Sequence, residues 1–243
     1  MVAAIKEWAN VALELFYPAD CAVCKGPREP DSASMLCGKC REELRSLQRP
    51  FCERCNLPFE GQAGGNFRCS HCADKVFHFA RAVCACRLAG AARECVHRFK
   101  YNGALWLGPE LAELLITAAR ERIEWSEVDC VAPVPLFPAR QRERHFNQAE
   151  WFARRLVRAL PAELSVGNLR RVRDTETQAF LNAAERVENM RGAFAARRPA
   201  EFMRRRVVVV DDVFTTGATT NECARVLRAA GAASVMVLTV GRG

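Results

Sequence analysis

The predicted fold class is α/β, with a mainly parallel sheet flanked by helices and a cysteine-rich module ahead of it. Two observations carry this prediction. From about residue 77, short β-branched segments alternate with segments of helical periodicity, which is typical of a parallel sheet covered on both faces. Before them stand four Cys-x2-Cys pairs, the spacing of zinc-binding turns. We therefore expect two domains, a helix with a double zinc-ribbon module at residues 1–76 and the α/β domain at residues 77–243.

The cysteine pairs are expected to bind zinc and not to form disulfides, because no secretion signal is visible and cytosolic thiols stay reduced. The pairs are Cys21/Cys24, Cys37/Cys40, Cys52/Cys55 and Cys69/Cys72. Two turns with two thiolates each complete one tetrahedral site, so pairing in chain order gives two structural zinc sites. Two alternatives stay open: the first and third pairs share an ion, or His71 replaces a neighbouring cysteine.

A site closed by four thiolates leaves no position for substrate, so its zinc is expected to fold the module. The module itself either binds nucleic acid or a protein partner or is only a stabilising cap. Gly26, Gly38 and Asn56 stand where such turns need left-handed backbone. The other cysteines lack metal-ligand spacing and are expected to be buried thiols: Cys84, Cys86, Cys95, Cys130 and Cys223.

Composition narrows the class of protein. The chain has 243 residues, half of them hydrophobic, which excludes wholesale disorder, and its net charge of +8 favours anionic partners. No apolar run reaches the roughly 18 residues that span a bilayer. We therefore expect no transmembrane segment and a cytoplasmic location. Residues 1–16 predict a short amphipathic helix; a membrane-surface helix is the alternative, disfavoured because the stretch lacks a basic face.

The α/β domain is predicted element by element. Strands are expected within residues 80–88, 128–136, 169–172, 204–213 and 234–240. Helices are expected at residues 90–103, 107–123, 144–160 and about 217–230, and a polar stretch runs up to Phe194. Ligands of parallel sheets bind beyond the carboxyl ends of the strands. The segments after the strands at 128–136 and 204–213 are therefore where a site is expected.

The segment VVVVDDVFTTGATT, residues 207–220, predicts a phosphate-binding loop. Small residues between a strand and a helix allow backbone amides to converge on a phosphate at the positive end of that helix: Thr215, Thr216, Gly217, Ala218 and Thr219. Asp211 and Asp212 are acceptors suited to two ribose hydroxyls, and adjacent acids beside a phosphate call for Mg²⁺. The alternative is a helix cap with incidental acids.

This segment resembles the phosphoribosyl pyrophosphate (PRPP) signature of type I phosphoribosyltransferases, and the whole chain resembles the ComF family of competence-associated proteins. The likeness is carried by the paired cysteines, RFKYNG at 98–103, residues 132–150, residues 174–194 and the terminal signature. It implies a type I phosphoribosyltransferase-like fold, binding of PRPP or a related phosphoribosyl ligand with Mg²⁺, and a setting in DNA uptake.

The resemblance also implies roles for single residues. Asp211 and Asp212 become the catalytic carboxylates that hold the ribose hydroxyls, and Thr215 to Thr219 hold the 5-phosphate. The pyrophosphate side comprises Pro135, Leu136, Arg140, Arg142 and Arg144, and a flap comprises Gln178, Arg186 and Asn189. Two residues depart from the family pattern: His145 replaces a glycine before FNQ, and the aromatic Phe214 replaces a smaller aliphatic residue.

Several residues admit two interpretations. Lys100 is either a phosphate ligand or a solvated helix end, and Asn147 and Gln148 either orient ligand or cap a helix. Arginines at 170, 171, 173, 197, 198 and 204–206 form either a nucleic-acid track or a solvated surface. Trp106, Trp125 and Trp151 are expected in the core or an interface.

Two functions remain open from the sequence. The chain is either a PRPP-binding protein of natural transformation that handles single-stranded DNA or contacts DNA-translocation proteins, or a metabolic phosphoribosyltransferase that transfers the group to an amine or base. No segment indicates the acceptor, and whether catalysis occurs is not decided by these residues.

Overall fold

A computed structural model describes residues 20–29, 32–61, 67–73, 75–175 and 182–243. The predicted amphipathic helix and Gln178 lie outside these residues. The strands are β1 Ala82–Arg87, β2 Cys130–Pro133, β3 Glu163–Leu164, β4 Leu169–Arg171, β5 Phe194–Ala196, β6 Arg206–Phe214 and β7 Ser234–Arg242. The α-helices are α1 Gly38–Glu43, α2 Ser70–Ala73, α3 Gly90–Tyr101, α4 Gly108–Arg122, α5 Pro138–Arg144, α6 Gln148–Ala159, α7 Ala183–Met190 and α8 Ala218–Ala229.

A five-stranded sheet forms the centre, in the order β1-β7-β6-β2-β3, and all its pairs are parallel. Helices cover both faces, which confirms the predicted fold class. The four valines of β6 are completely buried: Val208 and Val210 pack with α3, α4 and α6, whereas Val207 and Val209 pack with α8. Each buried valine contributes about 1.5 kcal/mol or more to folding, so this strand anchors both layers.

The predicted helix at 144–160 is interrupted. Its first part is the end of α5, and α6 begins only at Gln148 because His145 adopts a left-handed conformation with φ 63°. The Asn147 side chain then accepts a hydrogen bond from the amide of Ala149 and donates one to the carbonyl of Val134. Asn147 therefore caps α6, which is the commoner of its two interpretations.

Two further differences concern residues 169–196. The predicted strand at 169–172 exists as β4, but it pairs antiparallel with β5 in a separate two-stranded sheet. The stretch read as polar contains α7, which begins with a capping box between Asn182 and Glu185. The helix was missed because its apolar positions are few and its exposed residues many.

The turns of the first and third cysteine pairs repeat one backbone pattern. Cys21 accepts from the amide of Lys25, and Cys52 accepts in the same way from Asn56. Lys25 and Asn56 take the left-handed conformation, with φ 61° and 59°. The expectation for Asn56 is confirmed, while that for Gly26 and Gly38 is wrong: the left-handed position falls directly after the second cysteine of each turn, one residue earlier than Gly26.

The cysteine turns pack on the α/β domain. The buried Asn56 side chain accepts hydrogen bonds from the amide of Cys84 in β1, at 2.7 Å, and from Arg122 at the end of α4. Cys21 and Cys40 join the same buried cluster as α3 and α4. Among the described helices, none combines the length and apolar character needed to cross a membrane.

Candidate functional site

The eight cysteines of the turns form two groups in chain order, Cys21/Cys24/Cys37/Cys40 and Cys52/Cys55/Cys69/Cys72. Within each group the sulfurs lie within 4.8 Å of one another. Cys24 and Cys37 sulfurs are 3.6 Å apart, and Cys55 and Cys69 sulfurs are 3.7 Å apart. A tetrahedron with Zn–S bonds of about 2.3 Å needs about 3.8 Å between sulfurs, so both groups fit zinc. Sequential pairing is thus what the geometry supports; His71 belongs to neither group and contacts Lys75.

One thiol in each group is prepared for ionisation. Burial opposes the thiolate of Cys21, but the backbone amides of Cys37, Cys24 and Val23 outweigh it and lower the pKa of Cys21 to about 6. Burial is likewise outweighed at Cys52, where backbone amides lower the pKa to about 7. Both groups thus donate backbone hydrogen bonds to a sulfur that must be anionic to bind metal.

A cavity of about 730 Å³ lies beyond the carboxyl ends of β6 and β2. Its wall includes most of the predicted ligand residues: Lys100, Leu136, Arg140, Arg144, Asn147, Gln148, Arg186, Asp211, Asp212, Thr215, Gly217, Ala218 and Thr219. These residues come from five separate segments. The strand order brings them together, since β2 and β6 are neighbours in the sheet.

The predicted phosphate loop has the backbone form it needs. Gly217 is left-handed, with φ 79°, and precedes α8 directly. An added Cβ at this glycine would stand 2.5 Å from the Phe214 ring, so only glycine fits. Within the described part of the chain, the amides of Thr216 and Gly217 have no protein acceptor. Ala218 donates only to the Thr216 hydroxyl, at a long 3.4 Å.

The acid pair faces a lysine from α3. Lys100 Nζ lies 2.8 Å from Asp212 Oδ2, and the Asp212 side chain is only 9 % exposed. Burial, together with the neighbouring charge of Asp212, raises the pKa of Asp211 to about 7. Burial opposes charge on Lys100 too, but Asp212 outweighs it, so the pKa of Lys100 lies above its usual value. Lys100 therefore belongs to the cavity and not to a solvated helix end.

Arginine side chains line the side of the cavity next to β2 and β4. Arg140 donates to the carbonyl of Thr175 at 2.6 Å, and Arg171 donates to the hydroxyl of the same residue. The Nε atom of Arg171 is buried and has no hydrogen-bond partner among the described residues. Burial, followed by the charge of Arg140, lowers the pKa of Arg171. The half-buried Arg171 side chain thus has one buried N–H donor that an anion in the cavity would satisfy.

Arg171 is a site residue that the sequence interpretation missed. It was grouped with Arg170 and Arg173 as surface or nucleic-acid track, whereas the structure turns it into the cavity. Alternation along β4 was the available signal, because Leu169 and Arg171 share one face of a strand. Leu169 is buried and Arg170 is exposed.

Helix α7, which lies in the segment expected as a flap, reaches the predicted phosphate loop. Arg186 of α7 donates to the Thr215 hydroxyl at 3.2 Å and lines the cavity. Asn189, one turn further, accepts from Arg173 through its backbone carbonyl and is not on the cavity wall. Pro135 and Thr216 are likewise not part of the cavity wall, although the residues next to them in the chain are.

Arg142 lies elsewhere. It lines a separate depression with Pro138 and Gln141 of α5 and with His145, the residue at which α5 ends. The left-handed His145 ends α5 at the position where the resemblance implies a glycine. Phe214 is buried and packs edge-on against Phe79, with ring centroids 5.9 Å apart, which agrees with a packing role for this second departure.

Fold and site together define a class: a mainly parallel α/β protein headed by a double zinc ribbon. A family model described as "Double zinc ribbon domain" matches residues 12–73. Competence protein F of Haemophilus influenzae is 30% identical over 231 residues, covering 93% of this chain and 98% of that protein. DNA utilization protein YhgH of Escherichia coli is 30% identical over 226 residues, covering 92% and 96%. The chain therefore belongs to the competence protein F (ComF) family.

Two more distant likenesses complete the comparison. Competence protein ComFC of Streptococcus pneumoniae is 28% identical over 152 residues, covering 63% of this chain and 64% of that protein. A solved structure titled as the allosteric regulatory enzyme of purine biosynthesis aligns with 28% identity and a TM-score of 0.34. That alignment covers 53% of this chain, which spans about a quarter (24%) of the enzyme.

Proposed function

We propose that the cavity binds PRPP or a related phosphoribosyl ligand and that the protein acts in the handling of transforming DNA. One observation carries the first part. The phosphate loop with the unused amide of Gly217, the acid pair and the arginines all line one cavity at the end of the sheet. No single motif accounts for this combination, because the residues come from strands and helices distant in sequence.

The proposed pose follows the charges. The 5-phosphate contacts the amide of Gly217 at the positive end of α8, next to Thr215 and Ala218 on the cavity wall. The ribose hydroxyls donate to Asp211 and Asp212, because adjacent carboxylates beside a phosphate repel the ligand unless hydroxyls or a divalent cation engage them. The pyrophosphate lies against Arg140 and Arg171, where the orphaned Nε of Arg171 gains an acceptor.

Divalent metal fits the same end of the cavity. The two carboxylates are hard oxygen donors of the kind that Mg²⁺ prefers when it also binds phosphate oxygens. Mg²⁺ would neutralise charge on the pyrophosphate and thereby favour its departure. The arginines and Lys100 add positive charge around the leaving group, and transfer rests on positioning and not on a protein nucleophile.

Lys100 has a specific part in this proposal. In the free protein the Lys100 ammonium forms an ion pair with the buried Asp212 side chain. A ligand hydroxyl and the Lys100 ammonium then compete for the same oxygen atoms. Lys100 is expected to turn towards a ligand phosphate when the ribose occupies Asp212, since its long stem permits that movement.

Calorimetric titration tests the ligand. Ribose 5-phosphate and PRPP with Mg²⁺ are titrated into the zinc-loaded full chain and into the Asp211→Asn plus Asp212→Asn variant. A hydrogen bond to a charged group is worth about 1.5–3 kcal/mol, so we expect at least about a tenfold loss of affinity in the variant. Wild-type protein that binds neither compound would remove the proposal.

Catalysis needs a separate measurement. Pyrophosphate release from PRPP is followed with candidate amines and nucleobases, with the same double variant as the control. Release that depends on both an acceptor and the two carboxylates supports phosphoribosyl transfer. Binding of PRPP with no release for any acceptor supports a sensing role instead.

A second candidate activity is contact with single-stranded DNA. The relatives are named for competence and DNA utilization, and this chain carries a net charge of +8. The cavity rim presents exposed rings of His97 and Tyr101, 5.0 Å apart, with the Arg144 guanidinium 4.9 Å over the Tyr101 ring. Exposed aromatics between arginines are what unpaired bases stack on.

A gel-shift titration with a single-stranded oligonucleotide tests this activity. Binding is expected to weaken steeply with salt, because released counterions drive it. Stacking on an aromatic is worth about 1–3 kcal/mol per base, so Tyr101→Ala is expected to weaken binding about five- to hundredfold, while Tyr101→Phe keeps the ring and the affinity. Equal binding by Tyr101→Ala and wild type removes the rim from the DNA contact.

A further inference from the structure

Arg242, the last residue of β7, connects the second cysteine group with the phosphate loop. It is 5 % exposed, and no Asp or Glu side chain among the described residues lies within 4.0 Å of its guanidinium. Its Nε donates to the carbonyl of Cys55 at 3.0 Å, and its Nη2 lies 4.0 Å from the Cys55 sulfur. The guanidinium also donates to the backbone oxygen of Gly243.

The charge of a zinc site explains why an arginine is tolerated there. A zinc ion with four thiolates carries a formal charge of about −2, because each bound cysteine is deprotonated. A buried guanidinium without a side-chain carboxylate is costly, and a neighbouring anionic centre offsets that cost. Arg242 thus lies in contact with the one group nearby whose charge depends on the metal.

The other side of the same guanidinium holds the phosphate loop. Arg242 Nη1 donates to the carbonyl of Phe214 at 3.2 Å, and the amide of Gly243 donates to that carbonyl at 2.9 Å. The Phe214 carbonyl and the Thr215 amide belong to one planar peptide group and point in opposite directions. Fixing the carbonyl therefore fixes the amide of Thr215, a residue that lines the cavity.

The ring of Phe214 extends this contact. The Arg242 guanidinium carbon lies 5.2 Å from the ring centroid, and the ring lies beneath Gly217 of the loop. The segment that leaves the second cysteine group is also attached to α8. The Asn221 side chain accepts from the amide of His78 at 2.6 Å and donates to the carbonyl of Val76 at 3.0 Å.

We propose that Arg242 is a positioning residue through which the second zinc site holds the phosphate loop in its anion-binding form. The proposal rests on the proposed phosphate site. It assigns the two zinc sites different functions, since the first group contacts α3 instead. There Arg98 donates to the carbonyl of Ala22 and is already neutralised by Glu94 at 2.5 Å.

Linkage gives a readout that a merely structural role would not move. If metal binding and phosphate binding are coupled, each ligand changes the binding affinity of the other by the same factor. Cadmium replaces zinc in such sites and is observed directly by ¹¹³Cd NMR. The full chain loaded with two cadmium ions is titrated with ribose 5-phosphate, and binding is followed in parallel by calorimetry. We expect two resonances, of which one moves with saturation.

Two conservative variants assign the resonances and test the residue. Arg242→Lys keeps the charge but loses the fork that reaches both carbonyls, and it is expected to displace the second-site resonance and to weaken ribose 5-phosphate binding at least about fivefold. Arg98→Lys is the matched control at the first site. It is expected to displace the other resonance and to leave the affinity within about twofold.

The outcomes separate the inference from the proposed function. Calorimetric binding with both cadmium resonances unmoved, or with Arg242→Lys binding as tightly as wild type, overturns the inference and leaves the phosphate site standing. Absence of binding in the wild type overturns both. The wild-type titration carries the test even where a variant fails to fold, because it needs no substitution.

Discussion

Replacing Asp211 by asparagine is expected to stabilise the protein at neutral pH. The carboxyl is raised to a pKa of about 7 by burial and by the charge of Asp212. Asparagine keeps the Oδ1 acceptor that receives the amide of Asp212 at 2.9 Å, so the substitution removes the charge and retains the hydrogen bond. The ionised Asp211 carboxylate therefore destabilises the folded protein, as groups kept for ligand binding often do.

The magnitude follows from the pKa in the two states. An unfolded aspartate has a pKa of about 3.9, so a folded pKa of about 7 corresponds to about 4 kcal/mol lost at about pH 8. Between these pH values the folded state keeps a proton that the unfolded state has released. Stability of the wild type therefore falls as pH rises through this window, and no penalty is present below about pH 4. The advantage of Asp211→Asn grows through the same window.

Urea unfolding of both proteins with excess zinc, at several pH values from 4.5 to 8, measures this difference. Thiolate titration affects both proteins equally and cancels in the comparison. A difference in unfolding free energy that is constant with pH, or that favours the wild type at pH 8, would refute the reasoning about burial.

Asp129 supplies a control of opposite sign. Hydrogen bonds from the Arg206 side chain and backbone lower the pKa of Asp129 to about 2. Its contribution to stability is present above the unfolded pKa of about 3.9 and is lost as pH falls towards about 2. Asp129→Asn is therefore expected to destabilise the protein at neutral pH, with an effect that vanishes in acid.

Three further outcomes are expected. Gly217→Ala places a Cβ at a left-handed φ of 79° and 2.5 Å from the Phe214 ring, so thermal unfolding by calorimetry should show that the free energy of unfolding falls by about 2–5 kcal/mol. Gly103→Ala is the control: that glycine is also left-handed but has nothing within 4 Å, so the free energy of unfolding should fall by only about 1–2 kcal/mol, and equal losses would contradict the packing argument. Lys100→Met leaves Asp212 buried without its cation and should cost about 3–5 kcal/mol in urea unfolding at pH 8; an unchanged midpoint would show that the ion pair is not formed in solution. Metal analysis should find two zinc ions per chain and one in Cys24→Ser, because each four-sulfur group holds one ion; retention of two ions by the variant would contradict the assigned groups.

Much of the fold could be predicted because its signals are local. A buried parallel strand is a continuous apolar run, and the four valines before Asp211 show this without ambiguity. The prediction of a helix at 144–160 is wrong in its first turn because Asn147, a capping residue, lies inside an otherwise periodic stretch. The helix at Ala183–Met190 was missed because most of its described residues are exposed, so hydrophobic periodicity has little to report.

The candidate site divides in the same way. The loop at Thr215 to Thr219 and the acid pair are contiguous, so their chemistry is legible as a motif. Arg171 could not be distinguished from Arg170 and Arg173 by composition. Only the pairing of β4 with β5 decides which of the three faces the cavity.

By itself the sequence determined the class of fold and the four Cys-x2-Cys pairs, and it predicted the location of the phosphate loop, because each depends on spacings of a few residues. The tertiary structure decided that Lys100 meets Asp212 and that Arg242 contacts Cys55, 187 residues away. Charged side chains select partners according to strand order and burial, and neither is encoded in the spacing along the chain.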